Sequence, residues 1–105
     1  AVSDALFEDE SVLAVAKCTD GGRDLHHSRL VLTDTRLIRY KKSTLSDRTD
    51  SYYLSKLHSA TLKSGLLRTK ISIEGSAIDE EFTVHGESDS EEFISHLQRQ
   101  IASAQ

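Results

Sequence analysis

The stretch Ser28-Arg29-Leu30-Val31-Leu32-Thr33-Asp34-Thr35-Arg36-Leu37-Ile38-Arg39-Tyr40 decides the fold of this chain. Two runs rich in branched and aromatic residues meet at the short polar step Thr33-Asp34-Thr35, which reads as a β-hairpin. Alternation puts Leu30 and Leu32 on one side of the first run and Ile38 and Tyr40 on one side of the second, with Arg29, Thr33, Arg36 and Arg39 at the intervening positions. One side is expected to face a core and the other to stay in water.

Working outward, residues 12–19 form a first strand, closed by Asp20-Gly21-Gly22, where glycine supplies the positive φ that hairpin turns require. The hairpin strands fall at about 28–33 and 36–42. Residues 43–49 are polar and read as a loop, and Ser51-Tyr52-Tyr53-Leu54 as a short aromatic strand. In 58–63, Ala60 and Leu62 alternate with Thr61 and Lys63, before a turn at Ser64-Gly65. In 67–74, Thr69, Ile71 and Ile73 share one face, and after Gly75-Ser76 the run 80–85 aligns Phe82 with Val84. Seven short strands without intervening helical patterns predict an antiparallel sandwich or barrel.

The end of the chain changes period. Ser88 and Glu91 have capping-box spacing, acids crowd the first turn, and Phe93, Ile94, Leu97 and Ile101 recur at helical spacing. A helix over 88–103 with Phe93, Leu97 and Ile101 turned inward is predicted, covering one end of the β structure. A weaker helical turn is expected around 3–7, with Leu6 and Phe7 available to cover the other end. The fold class is thus mainly β with a C-terminal α-helix.

A length of 105 residues suits one domain over 1–105, and 37% hydrophobic with 29% charged residues is ordinary globular composition. One cysteine, Cys18, forms no intramolecular disulfide. No apolar run approaches the ~20 residues of a membrane-spanning helix and no signal-peptide pattern is present, so the default location is cytoplasmic, with membrane association left to a lipid-binding reading. A chain starting at Ala1 is also compatible with a processed or excised piece. The net charge of −4 conceals segregation: residues 17–70 hold twelve bases and five acids, or +7, and residues 71–105 hold one base and eight acids, or −7. Either a basic face sits on an acidic molecule, or strands of opposite charge neutralise one another across the sheet.

Seven strands and one closing helix is the element order of the pleckstrin-homology-like fold, and the chain resembles the short bacterial pleckstrin-homology-like domains of the YokE type. The residues that carry the resemblance are Glu10 to Lys17 in the first strand, Leu30-Val31-Leu32-Thr33-Asp34-Thr35-Arg36-Leu37-Ile38 in the hairpin, and Leu62-Lys63-Ser64-Gly65-Leu66-Leu67. Phe82-Thr83-Val84 and Glu91-Glu92-Phe93 complete the set. The resemblance implies a seven-stranded, bent antiparallel sheet or partly open barrel capped by one helix, and an interaction or oligomerisation module rather than an enzyme. Eukaryotic relatives of the fold bind phosphoinositides through a lysine in the first strand and a Lys/Arg-x-Arg pair in the second. Lys17 matches the lysine, whereas the second strand offers Arg29 alone. The fold also binds peptides alongside its helix and packs against copies of itself.

Few residues invite catalysis. His26-His27 are neighbours in an extended run, so they do not readily chelate one ion, and no HxxxH or CxxC accompanies them. Cys18 ends an apolar strand and reads as packing, Gly21-Gly22 as a turn without a phosphate-loop pattern, and Asp79-Glu80-Glu81 as a solvated edge that discourages aggregation. No catalytic residue, metal or cofactor is expected. Arg39, Lys41, Lys42 and Arg48, with Lys17 and nearby Arg36, form the one basic set able to converge on an anion. Nucleic acid is not expected, because interleaved exposed aromatics are missing. Two readings remain: a protein-interaction or self-assembly module, binding a protein partner or itself, and a peripheral binder of anionic membrane or phosphate headgroups through Lys17, Arg39, Lys41, Lys42 and Arg48.

Overall fold

The computed structural model describes residues 10–20, 23–42, 47–65, 69–84 and 87–104, and within these all side chains except those of 19–20, 23–27, 42, 47–48 and 87–89. Seven strands, β1 (Val12–Asp20), β2 (Arg23–Thr33), β3 (Arg36–Lys42), β4 (Asp47–Tyr53), β5 (Leu57–Ser64), β6 (Thr69–Gly75) and β7 (Ile78–Val84), precede one helix, α1 (Glu87–Ala104). All pairings are antiparallel, in the order β4-β3-β2-β1-β7-β6-β5. The sheet is open, with β4 and β5 as its outer strands, which is the bent, partly open form expected with one helix across it and not a closed barrel. The join between its halves is narrow: among the described residues β1 meets β7 only at Cys18↔Val84 and Thr19↔Thr83. So short a ladder lets β1–β4 and β5–β7 bend toward one another, and α1 packs on β5, β1 and β6 across the opening.

The inner face is an apolar core. Ala16, Cys18, Leu30, Leu32 and Leu37 from one half meet Ala60, Ile71, Ile73, Phe82 and Val84 from the other, with Phe93, Ile94, Leu97 and Ile101 of α1 above them. The inward helix stripe is therefore the predicted one, extended by Ile94, and Gln98 Nε2 donates to the Ala60 carbonyl at 2.9 Å. Cys18 is buried packing, as expected. The capping-box side chain of Ser88 and the turn expected at 3–7 fall outside the described residues.

The hairpin holds the main correction. Its two-residue turn sets Thr33 opposite Arg36, and the register runs Leu32↔Leu37, Val31↔Ile38, Leu30↔Arg39 and Arg29↔Tyr40. Paired residues share a face, so Leu30 and Leu32 stand with Leu37, not with Ile38 and Tyr40. Val31, Ile38 and Tyr40 are buried on the opposite face, outside the core cluster, and Thr33 and Arg36 are buried too. Neither side of the hairpin is simply wet.

Two strands, β2 and β4, differ most from their predicted extents. β2 begins at Arg23 and β4 at Asp47, in polar segments that long partner strands draw into the ladder despite weak intrinsic preference. Leu54 leaves β4 and enters a single 3-10 turn over Leu54–Lys56, which lets both Leu54 and Leu57 reach the core. A Cβ on Gly75 would overlap the Lys56 carbonyl oxygen, which accepts the Ser76 N–H at 3.0 Å, so that crossing requires glycine. Asp79-Glu80-Glu81 lies on β7, an inner strand of the order, rather than on an outer one.

Candidate functional site

The Leu-Thr-Asp-x-Arg hairpin tip grips the residues that precede β1. Arg36 Nε and Nη2 donate to Glu10 Oε2 and Oε1, each at 2.9 Å, and Nη1 donates to Ser51 Oγ at 2.8 Å. Thr33 Oγ1 donates to Glu10 Oε2 at 2.6 Å and accepts the N–H groups of Thr35 and Arg36 at 3.1 and 3.0 Å. The exposed Asp34 completes the clasp: its N–H donates to the Ser11 carbonyl at 3.2 Å, and its Oδ1 accepts the Ser11 N–H at 3.3 Å. The Arg36 and Glu10 side chains are 6% and 1% exposed. A forked guanidinium on a carboxylate satisfies both charges inside the protein. The motif is thus a structural clamp, and Arg36 leaves the set of residues open to an external anion.

The remaining basic residues divide between faces. Lys17 lies between inward Ala16 and Cys18 and is exposed on the outer face, directly opposite Arg29, also exposed. The next residues in that row are Tyr40 and Thr49. Arg39 stands on the core side, its guanidinium carbon 5.7 Å from the Phe82 ring centre, with Asp50 as its partner across β3 and β4. Tyr52 completes this cluster with an edge-on contact to Phe82 at 6.0 Å. Lys41 follows on the Arg39 side of β3, in register with Arg48, and Lys42 pairs with Asp47; the side chains of Lys42 and Arg48 lie outside the described set. Lys17 is therefore brought together with Arg29, not with Arg39 and Lys41.

Part of the charge segregation is resolved by cross-strand pairing. Glu81 on β7 sits 3.1 Å from Lys70 Nζ on β6 and 3.8 Å from Lys63 Nζ on β5, bridging two lysines that face each other in register. The Lys70 hydrogen bond and charge, with Lys63 behind them, hold its carboxyl below the usual carboxylate range. Lys17 and Arg29 differ: like charges face each other, and among the described residues no ion pair is formed to either.

A groove opens between β1 and α1. Because β7 reaches β1 only at Cys18 and Thr19, the β7-facing side of residues 12–16 has no strand beside it among the described residues. There Leu13, Ala14 and Val15 face Glu92, Phe93 and His96 across a space of about 180 Å³. Leu13 and Val15 are 40% and 51% exposed, and Val12 beside them 45%. A register shift between Val12 and Ala14, the mark of a bulge, interrupts the ladder of this stretch with β2. The spacing of hydrophobics predicted β1 but not its free side, because that depends on where β7 stops, some seventy residues later.

Among the described residues no three His, Cys, Asp or Glu side chains gather to hold a metal. His26 and His27 are in β2 with side chains outside the described set. No described helix is long and apolar enough to cross a membrane.

Comparison with known proteins agrees with this architecture. The sequence model described as Bacterial PH domain matches residues 6–99. Among solved structures, the Vps36 N-terminal PH domain superposes with a TM-score of 0.66 at 18% identity, covering 93% of this chain and 83% of that one, a likeness of fold. No curated protein matches the sequence. With a match over nearly its whole length, and seven antiparallel strands closed by one helix beneath it, the chain belongs to the bacterial PH domain family.

Proposed function

We propose that this PH domain is a non-enzymatic interaction module whose partner is a protein, either foreign or a second copy of itself. One observation carries the reading: three of the four large apolar residues exposed on the described surface, Val12, Leu13 and Val15, cluster in the first half of β1, the stretch that no described strand borders on its β7-facing side. Scattered exposed hydrophobics need no explanation, but a contiguous set on an open strand edge is a surface built to be covered. Photo-crosslinking from position 15 in the native cell tests this. A discrete protein adduct is expected; no adduct above the level given by a solvent-facing control such as position 61 would refute it. Light scattering over a range of concentration then separates a closed homo-oligomer from a monomer that needs a foreign partner.

A second reading, binding of anionic membrane or phosphate headgroups, is favoured by the like-charge pair Lys17↔Arg29. Such a pair repels itself in the free protein and gains most from an anion placed between its members. Arg39, Lys41, Lys42 and Arg48 on β3 and β4 would serve a separate part of the basic surface. Sedimentation with anionic vesicles distinguishes the readings, since headgroup binding must weaken as the Debye length falls from ~10 Å at 0.1 M salt to ~3 Å at 1 M. Loss of that binding in Lys17→Glu with Arg29→Glu, and its retention in Lys41→Glu with Lys42→Glu, would assign it to the outer pair.

A further inference from the structure

The outer face of the β1–β4 half-sheet has an apolar centre of its own. Rows across the strands place Val15, Val31, Ile38 and Ser51 on that face, with Lys17, Arg29, Tyr40 and Thr49 to one side and Thr33 with Arg36 to the other. Along its middle Val31 is 1% exposed, Ile38 0% and Tyr40 9%, although none of them belongs to the core cluster. At its margins Val15, Lys17, Arg29, Thr49 and Ser51 are all exposed. The burial is thus a strip running down β2 and β3 from Arg36 to Tyr40. The helix does not produce it, since α1 packs on β5, β1, β6 and the 3-10 turn from the core side, and among the described residues no helix or strand lies over the strip.

Two aliphatic side chains so fully withdrawn from water need an apolar cover, and the chain supplies a segment at the right place. Arg36 and Thr33 hold Glu10 on this face, and Arg36 also reaches Ser51, so the residues before Glu10 start at the head of the strip. Residues 1–9 carry Val2, Leu6 and Phe7, with Asp4, Glu8 and Asp9 and no base. From Arg36 to Tyr40 is about 14 Å at the rise of a strand, which nine residues span as a helix of about 13 Å and exceed as an extended chain. An acidic segment also suits the foot of the strip, where Lys17 and Arg29 face each other with no ion pair among the described residues. Of the other stretches outside the described residues, 21–22 and 85–86 are short, 66–68 joins β5 to β6 in the other half of the sheet, and 43–46 offers one large apolar residue, Leu45.

We infer that residues 1–9 lie along the outer face of the hairpin as a built-in cover, with Leu6 and Phe7 seated over Val31 and Ile38 and Asp4 beside Lys17 and Arg29. The cover closes the apolar strip, and an anion reaching Lys17 and Arg29 competes with it. It stands apart from the protein-partner reading, which concerns the stretch of β1 beside α1.

A nitroxide attached at Ser3→Cys in the full chain, read as loss of amide signal against the reduced label, tests the inference; Cys18 is buried and stays unlabelled. The loss should be strongest at Val31, Ile38 and Tyr40 and weak along α1 and β6. Loss centred on α1 or on β5–β7, or none beyond the label's neighbours in sequence, would overturn the placement. Adding Leu6→Asp with Phe7→Asp should release the segment, so that the loss at Val31 and Ile38 disappears while the shifts of Leu37 and Phe93 stay in place. An undiminished loss at Val31 and Ile38 would overturn the apolar seating. Adding Lys17→Glu with Arg29→Glu instead should reduce the loss at Tyr40 more than that at Ile38; an unchanged pattern would refute the part assigned to charge.

Discussion

Replacing Arg36 by methionine keeps the length of the side chain and removes its charge and donors. The carboxylate of Glu10, 1% exposed, would lose two hydrogen bonds at 2.9 Å and its countercharge, retaining the 2.6 Å bond from Thr33. Breaking a buried pair from one side costs about 3–5 kcal/mol, since an uncompensated charge is left inside, against a total stability of roughly 5–15 kcal/mol for a small domain. With a urea slope near 1.5 kcal/mol/M, the unfolding midpoint should fall by about 2–3 M. The double variant Glu10→Leu with Arg36→Met removes both charges, and Thr33 Oγ1 still has the Arg36 carbonyl at 3.1 Å as its acceptor. It should recover most of the loss. A single variant shifted by less than about 0.5 M, or a double variant no better than the single, would show that the clamp is an ordinary solvated pair and that its geometry says nothing about why the motif is there.

Phe93→Ala should lower stability by about 3–5 kcal/mol, because the ring is 1% exposed at the centre of the helix–sheet contact; an unchanged melting curve would remove α1 from the core. Ser28→Ala should be neutral or stabilising by up to about 1 kcal/mol, since the Ser28 hydroxyl is buried with no hydrogen-bond partner among the described residues, and a loss above that amount by urea titration would reveal a hidden partner. Glu81 is depressed in the folded state by Lys70 and Lys63, so its contribution is full above its ordinary value of 4.5 and is lost as pH falls through its lower folded value. Glu81→Gln should therefore flatten the acid limb of stability against pH below that point, an effect that weakens with added salt; an identical limb in both proteins would show that the three-strand bridge is inert.

How far the sequence discloses this structure depends on the range of the interaction that decides each feature. Strand positions and the helical stripe follow from local period, and Phe93, Leu97 and Ile101 point inward as their spacing requires. The hairpin faces were misread because alternation within each strand is local, whereas the match between strands is set by turn length; a two-residue turn pairs Leu32 with Leu37, and counting outward from it was the available signal. Arg36 looked like a surface base for the same reason of range. Its partner Glu10 lies 26 residues away, and nothing in the intervening pattern announces a buried carboxylate before the first strand.

The candidate sites follow the same logic in a sharper form. A motif can be read when side chains do the chemistry, because their types and spacing are written in the chain. Here the Leu-Thr-Asp-x-Arg motif was the most readable feature, and it is consumed by the fold, its charges satisfied within the protein. The feature left open, the side of β1 with no strand beside it among the described residues, consists largely of backbone and of common aliphatic residues, and it exists because the described ladder between β7 and β1 ends at Cys18↔Val84. Any sequence that kept that stopping point, a small residue at Ala14 and a large one at Phe93 would keep the groove, while the surface beside it could be changed through Leu13 and Val15 without disturbing the core. Fold is thus conveyed by strict positions and binding by permissive ones, which is why a family match assigns this chain's architecture and leaves its partner to be found by experiment.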